Sequence, residues 1–113
     1  MITIYHKNTC STSRAVLNMI KEAGQEVRVV LYMDEPPTVA ELTMLLKKLA
    51  IPAKDLVRKK ESLYKEKFAG KDYSEQEWIK ILAENPSLIE RPILVKGNHA
   101  IVARPPASAA DFI

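Results

Sequence analysis

The chain contains a single cysteine, Cys10, in a polar segment between an apolar stretch and the start of a helical pattern. A thiol at the first turn of a helix faces unpaired backbone N–H groups and the positive end of the helix dipole, and both favour the thiolate. Such a position lowers a cysteine pKa from about 8.5 to roughly 3.5–7.5. The same N–H groups, together with the hydroxyls of Ser11, Thr12 and Ser13, would also bind an anion. The sequence therefore predicts a nucleophile beside an oxyanion site.

The residues around Cys10 argue against a purely structural role for its thiol. A lone cysteine is more often a small buried hydrophobe than a nucleophile. Here, however, polar residues flank Cys10 on both sides, and they suit a solvated, electropositive pocket better than an apolar core. With no second cysteine in the chain, an external thiol must resolve any oxidised form of Cys10.

Three arginines adjoin predicted breaks in regular structure: Arg58, Arg91 before Pro92, and Arg104 before Pro105. Each arginine taken alone is typical of a solvated surface charge. Taken together, they suit a tetrahedral oxyanion, because planar guanidinium groups bind oxyanions in a bidentate manner and several of them neutralise a multiple charge. We therefore treat the three arginines as candidate oxyanion ligands.

Three further residues are candidates to support the thiolate: His6, Ser13 and Arg14. His6 could polarise the thiolate across the loop, as in other cysteine and histidine pairs, or it could be a hydrogen-bonded histidine at the end of a strand. Arg14 could equally solvate the first helix. Two histidines and one cysteine do not have the spacing of a zinc site, so no metal is expected.

The elements that would position these side chains follow from hydrophobic periodicity. Residues 2–5 are β-branched and aromatic and predict a strand, and residues 27–32 predict a second one. Between them, apolar residues recur at intervals of three and four up to Gly24, which is typical of an amphipathic helix with a left-handed stop. A strand, a helix and a strand within about thirty residues favour a right-handed parallel crossover.

The second half of the chain predicts a helical insertion at about 38–90, followed by two strands and a helix. Capping boxes at 38–41 and 74–77 begin two helices, and the charged segment 53–70 predicts short helices. Strands at 93–95 and 99–102 flank Gly97-Asn98, which suits a hairpin turn. The segment that begins at Arg104 predicts a closing helix, because proline is tolerated at a helix start.

This order of elements predicts an α/β protein with a thioredoxin-like fold (β-α-β, helical insertion, β-β-α) and a mixed sheet, formed by one domain over residues 1–113. In that arrangement the segment before the third strand lies beside the loop that contains the cysteine. Arg91 is therefore expected next to Cys10.

Composition excludes several other classes of protein. A net charge of +3 is too mild to predict nucleic-acid binding, and no apolar run reaches the eighteen or so residues that would cross a membrane. The N-terminus has neither the charged start nor the long apolar run of a signal peptide. A single cysteine favours a reducing compartment, so we expect a cytoplasmic protein, and we expect it to be a monomer.

In its motifs the chain resembles the glutaredoxin-linked arsenate reductases of the ArsC type, in the ArsC and Spx branch of the thioredoxin superfamily. The resemblance covers nearly the whole chain. It rests on five segments: 2–6 leading to Cys10-x-Thr12-Ser13-Arg14, Leu31-Tyr32 with Pro36-Pro37, residues 56–59, residues 90–93, and residues 103–105.

The resemblance implies that Cys10 is the nucleophile, that Arg58, Arg91 and Arg104 hold the oxyanion, and that the peptide bond between Arg91 and Pro92 is cis. It further implies that the thiolate attacks arsenate, that glutathione adds to the cysteine-bound arsenic, and that glutaredoxin recycles the enzyme as arsenite leaves. Glutathione would then be a co-substrate, with no bound metal or flavin, and the expected role is arsenic resistance.

Two alternatives within the same fold stay open. One is an Spx-like transcriptional regulator that binds RNA polymerase; many such regulators contain a C-x-x-C pair, whereas Ser13 occupies the second position of that pair here. The other is a glutathione-dependent thiol reductase that does not act on arsenate. The chain also has Ser11 where the family usually has glycine, and a backbone angle open only to glycine would be strained there.

Overall fold

The computed structural model describes all residues 1–113, and the chain forms two compact units. The first unit contains Met1–Glu35 and Arg91–Ile113, and the second contains Pro36–Glu90. The second unit begins and ends close to the predicted insertion at 38–90; the assignment of the whole chain to one domain stays a prediction. None of the helices has the length and apolar character that a membrane crossing requires.

A four-stranded sheet organises the first unit. Its strands are β1 (Ile2–His6), β2 (Val27–Leu31), β3 (Ile93–Lys96) and β4 (His99–Val102), and they lie in the order β2-β1-β3-β4. β1 and β2 are parallel, β3 is antiparallel to β1, and β4 is antiparallel to β3. The sheet is therefore mixed, as predicted, and the parallel pair is joined by helix α1 (Ser11–Glu22).

The helix α1 packs on the sheet because buried side chains alternate along β1 and apolar side chains form a stripe along α1. Ile2 and Ile4 are buried on one face of β1, and they form a core cluster with Val16 and Ile20 of α1. Burying an aliphatic side chain of this size stabilises the fold by about 1.5–3 kcal/mol relative to leaving it exposed. Gly24 follows the helix with φ +73°, a left-handed conformation that favours glycine. The start of α1 is thereby fixed against the sheet.

The directions of the four strands bring several chain segments to one edge of the sheet. β1 and β2 both end there, because they are parallel. β3 begins there, since it is antiparallel to β1, and β4 ends there in turn. The residues just after β1, β2 and β4 and just before β3 therefore lie at a common edge.

The second unit is helical. It contains α2 (Val39–Leu49), α3 (Ser62–Lys67) and α4 (Glu75–Glu84), with 3-10 helices at Ala53–Leu56 and Pro86–Leu88. Both predicted capping boxes are present, from Thr38 to Glu41 and from Ser74 to Glu77. Four aromatic rings pack together beside α4: Tyr64, Phe68, Tyr73 and Trp78.

The boundaries that differ from those predicted include those of the closing helix and of the second strand. The predicted closing helix is a four-residue 3-10 helix, Pro106–Ala109, because the two prolines at its start lack N–H groups and the remaining bonds span three residues, as from Ser108 N to Pro105 O. The second strand, predicted over 27–32, ends at Leu31. Tyr32 therefore lies just beyond the strand, at the sheet edge described above.

Candidate active site

Cys10 is the N-cap of α1. Its backbone is extended (φ −92°, ψ 119°), its carbonyl accepts a hydrogen bond from Arg14 N at 3.0 Å, and its own N–H donates to Lys7 O at 3.0 Å. The residue is half-buried. Ser11 begins the helix, and among non-glycine residues only Ala50 has a positive φ, so the serine in place of the usual glycine introduces no backbone strain.

The thiol of Cys10 ionises readily. Burial alone raises its pKa, but this effect is outweighed by a hydrogen bond from the backbone N–H of Ser13 and by the side chains of Arg91 and Arg104, so that the pKa falls from its ordinary value of 9.0 to about 6. Donors to the charged form and nearby positive charges both favour a thiolate. Near pH 7 the sulfur is therefore mainly a thiolate, the form that acts as a nucleophile.

Arg91, which precedes β3, is the most deeply buried charged side chain at this edge, with 6% of its surface exposed. Its guanidinium interacts with the hydroxyl of Tyr32 and with the sulfur of Cys10; burial lowers the pKa of Arg91, but these two partners outweigh that effect and raise it. Its Nε and Nη1 atoms are buried and have no hydrogen-bond acceptor. Buried donors are normally satisfied, so the N–H groups on these two nitrogens suit an anion.

Arg104, which follows β4, is exposed and connects to Arg91. Its Nη1 donates a hydrogen bond to the backbone carbonyl of Arg91 at 2.9 Å. The peptide bonds that follow both arginines, to Pro92 and to Pro105, are cis. The structure thus brings Arg91 and Arg104 to the Cys10 thiol, while their binding of an oxyanion stays a prediction.

Arg58 lies in the second unit, directly after the extended residue Val57. Its backbone N–H donates to Leu88 O at 2.6 Å, and its Nε lies 3.6 Å from a carboxylate oxygen of Glu61. The side chain is 18% exposed, and its Nη1 is buried with no hydrogen-bond acceptor. Like Arg91, Arg58 therefore presents an open donor, and its role in binding an oxyanion stays a prediction.

His6 and Ser13 are buried, and Arg14 is exposed. Burial lowers the pKa of His6; a hydrogen bond with the Asn8 side chain raises it, and the charges of Lys21 and Arg14 lower it further. His6 is therefore mainly neutral near pH 7, and its Nδ1 has no hydrogen-bond partner.

Ser13 supports the Cys10 thiolate through its backbone N–H, whereas its buried hydroxyl has no partner. The sequence predicts a role for the hydroxyls of this loop, but Ser13 lowers the Cys10 pKa through its peptide group. The support of the thiolate by Arg14 stays a prediction, since the charge of Arg14 acts on His6.

Sequence reasoning missed Tyr32 and Asn8 as members of this site. The sequence pattern predicts Tyr32 as the last residue of a strand, and it gives Asn8 no role in supporting the thiolate. A signal was available for Tyr32, because a residue directly after the strand parallel to β1 must lie at the same sheet edge as the cysteine loop. No three His, Cys, Asp or Glu side chains of the structure are grouped so that they could hold a metal ion.

Comparisons with known proteins agree with this geometry. Residues 5–112 match the ArsC family. The chain is 43% identical to the uncharacterized protein YfgD of Escherichia coli (strain K12), over 99% of this chain and 96% of that protein. It is 38% identical to an arsenate reductase of Yersinia enterocolitica, over 99% of this chain and 80% of that protein.

Among solved structures, the arsenate reductase from Vibrio cholerae superposes with a TM-score of 0.93 at 35% identity, covering 99% of this chain and 97% of that chain. This agreement over almost the full length confirms the thioredoxin-like α/β fold predicted from the order of elements. The match to the family over nearly every residue, and the relatives above 30% identity, lead to one conclusion: this chain belongs to the ArsC family.

Proposed function

We propose that this protein reduces arsenate to arsenite, with the Cys10 thiolate as the nucleophile. The observation that supports the proposal most directly is the contact between a thiol of pKa about 6 and the buried guanidinium of Arg91, whose Nε and Nη1 have no hydrogen-bond acceptor. A nucleophile and an anion ligand are thus present at one position. Relatives named arsenate reductase, at 34–38% identity, support arsenate as the substrate.

The proposed reaction begins with the thiolate attacking arsenic. A bond forms between the sulfur of Cys10 and arsenic(V), and one arsenate oxygen leaves as water. Arg91, Arg104 and Arg58 are the proposed ligands of the remaining oxygens, because guanidinium groups stabilise the spread negative charge of a tetrahedral oxyanion. The side chains of Arg91 and Arg104 also keep the sulfur ionised before the attack.

Thiols then supply the two electrons. Glutathione displaces a second oxygen as water and forms a second sulfur–arsenic bond. A glutaredoxin thiolate attacks the glutathione sulfur, the electron pair of that bond stays on arsenic, and a mixed disulfide of glutathione and glutaredoxin leaves. Hydrolysis of the remaining bond releases arsenite and restores Cys10. We propose the cytosol as the place of this reaction, since thiols stay reduced there, and a monomer that needs no bound cofactor.

The direct test incubates the protein with arsenate, glutathione and glutaredoxin and measures arsenite. We expect arsenite to form with the wild-type chain and not with Cys10→Ser. Equal arsenite from both would overturn the proposal, because Cys10 is the only thiol in the chain.

A second test concerns the anion ligand. We expect Arg91→Ala to weaken arsenate binding by about tenfold or more, since the planar, bidentate donors of the guanidinium are lost. Lys60→Ala is the matched control, because Lys60 is an exposed cation outside the proposed site. Similar losses in the two variants would show that charge in general, rather than Arg91, governs binding.

A second candidate function is favoured by the same low pKa. A thiolate at neutral pH also reacts with disulfides, so a glutathione-dependent thiol reductase would need Cys10 but not the open donors of Arg91. Reduction of a small mixed disulfide of glutathione separates the two functions. If Arg91→Lys leaves that activity intact and abolishes arsenite formation, the oxyanion chemistry is the function of the site.

A further inference from the structure

Tyr32 is a fully buried phenol at the edge of the sheet where the cysteine loop begins. It directly follows β2, whose last residue, Leu31, pairs with His6 at the end of β1. The cysteine loop continues from His6, and Arg91 precedes β3 at the same edge. Three consecutive strands of the sheet, β2, β1 and β3, therefore bring Tyr32, Cys10 and Arg91 together from distant parts of the sequence.

The Arg91 guanidinium is the common partner of the other two groups. It interacts with the hydroxyl of Tyr32 and with the sulfur of Cys10. The whole side chain is buried except for 6% of its surface, so the partners that it has within the protein determine its orientation. A hydroxyl is costly to bury without such a partner.

We propose that Tyr32 is a positioning residue: its hydroxyl fixes the guanidinium of Arg91 against the Cys10 sulfur and leaves Nε and Nη1 directed to the oxyanion. The part of this inference that concerns the oxyanion rests on the proposed function. The part that concerns the thiolate stands on the contacts alone.

The number of N–H donors on Arg91 decides whether removing the Tyr32 hydroxyl stabilises or destabilises the Cys10 thiolate. A guanidinium has five N–H donors, and those on Nε and Nη1 have no acceptor in the structure. A guanidinium thus has more N–H donors than its two partners, Tyr32 and Cys10, require, so the hydroxyl need not take a donor from the thiolate. Removing the hydroxyl frees no donor that the thiolate needs, and it removes a fixed point of the guanidinium. The thiolate should become less stable, not more.

The test measures the pH dependence of Cys10 alkylation by iodoacetamide, a signal with one source because the chain has a single thiol. In Tyr32→Phe we expect the midpoint to rise by about 0.5–1 pH unit, the size of one net hydrogen bond. Tyr64→Phe, which removes a phenol hydroxyl from the aromatic cluster of the second unit, should leave the midpoint unchanged. An unchanged midpoint in a folded Tyr32→Phe protein would overturn the inference.

A double-mutant cycle distinguishes positioning through Arg91 from a general structural effect. In an Arg91→Ala background, Tyr32→Phe should produce no further rise of the midpoint, because the residue through which it acts is gone. A rise of equal size in both backgrounds would show that Tyr32 acts by another route and would overturn the inference.

The unmodified protein offers a readout that does not depend on the folding of any tyrosine variant. With tyrosine labelled at ¹³Cζ, the Tyr32 resonance should shift with the same pH midpoint as the Cys10 thiol, since both groups interact with one guanidinium. Cys10→Ser should abolish the shift. A Tyr32 resonance that ignores the ionisation of Cys10 would contradict the inference.

These measurements contain no arsenate, so their outcome is separate from that of the proposed function. If the protein makes no arsenite but shows the coupled midpoints, the positioning role of Tyr32 is supported and arsenate is excluded as the substrate. If the protein makes arsenite but Tyr32 and Cys10 show no coupling, arsenate is supported as the substrate and the positioning role of Tyr32 is overturned.

Discussion

Arg104 holds Arg91 from the backbone side: Nη1 of Arg104 donates to the carbonyl oxygen of Arg91 at 2.9 Å. The bond joins the residue that follows β4 to the residue that precedes β3. Both arginine side chains interact with the Cys10 sulfur, and both lower the Cys10 pKa. Arg104 therefore acts on the thiolate directly, by donating a hydrogen bond to it, and indirectly, by fixing the segment that contains Arg91.

We predict that Arg104→Ala raises the pKa of Cys10 from about 6 toward 9.0, because a donor and a positive charge are lost together. The measurement is the pH dependence of Cys10 alkylation. Arg28→Ala, which removes an exposed arginine from β2, is the matched control. The same midpoint in both variants would mean that Arg104 does not stabilise the thiolate.

The low pKa of Cys10 also predicts how the stability of the fold depends on pH. The folded thiol loses its proton near pH 6, and the unfolded thiol near 9.0. Between these values the unfolded chain binds more protons, so the free energy of unfolding gains a contribution that grows as pH rises and is lost as pH falls through about 6.

Cys10→Ser removes this contribution. We expect the difference in the free energy of unfolding between wild type and variant to widen in favour of the wild type from about pH 5 to about pH 8.5, measured by urea titration under reducing conditions. Serine is also a good N-cap and could raise the free energy of unfolding of the variant, but this increase is independent of pH and does not change how the difference varies with pH. A difference that stays constant over this range would contradict the assignment of a stabilised thiolate.

Buried His6 predicts a second pH effect, at lower pH. Its pKa lies below the ordinary 6.5, chiefly through burial, so the unfolded chain takes up a proton before the folded chain does. Stability from this group is complete above 6.5 and is lost as pH falls through the folded pKa. His99→Gln leaves His6 as the only imidazole, and proton NMR of that variant should give a midpoint below 6.5. A midpoint at or above 6.5 would refute the effect of burial.

The sequence predicts best those elements that depend on interactions between residues close together in the chain. The two capping boxes, at Thr38 and Ser74, satisfy backbone N–H groups within three residues, so they were visible in the chain and are present in the structure. The parallel crossover followed from the lengths of the elements. The family resemblance added the cis bond between Arg91 and Pro92, which the structure contains.

The rest of the site depends on contacts between residues distant in sequence. Tyr32 lies 59 positions before its partner Arg91, and nothing in either local sequence links them. The closing segment was also mispredicted, because a proline favours a helix start without ensuring that the helix continues. Burial and strand pairing decide such features, and periodicity alone does not contain them.

Glu61 is an ion-pair partner of Arg58. If Arg58 binds an oxyanion, as proposed, removing the Glu61 carboxylate should favour that binding. Its carboxylate lies 3.6 Å from Nε of Arg58, and both side chains are partly exposed. We predict that Glu61→Gln strengthens arsenate binding by about two- to fivefold, the size of a partly exposed ion pair. Arsenate protection of Cys10 from alkylation measures it.

Glu66→Gln is the matched control for Glu61→Gln, because it removes an exposed carboxylate from α3, the short helix that begins directly after Glu61. We expect no change in protection for that variant. Equal strengthening in both would indicate a general change in net charge, and no strengthening in Glu61→Gln would indicate that Arg58 is not an arsenate ligand.

The last prediction concerns the segment that leads to Arg58. Both carboxylate oxygens of Glu75, at the start of α4, accept the backbone N–H of Ala53, at 2.9 and 3.2 Å. Ala53 begins the 3-10 helix that runs to Leu56, two residues before Arg58, and it is fully buried. A charged acceptor at a helix start satisfies a donor that would otherwise be lost from water.

Glu75→Ala should therefore lower the free energy of unfolding by about 1–3 kcal/mol, since the buried N–H loses its acceptor. Glu75→Gln should lower it less, because the amide oxygen still accepts while the charge is gone. Gln76→Ala, at the next and exposed position of α4, provides the baseline for a side-chain truncation. If urea titration gives Glu75→Ala and Gln76→Ala the same stability, the carboxylate does not anchor this segment, and the placement of Arg58 must depend on its own bond to Leu88 instead.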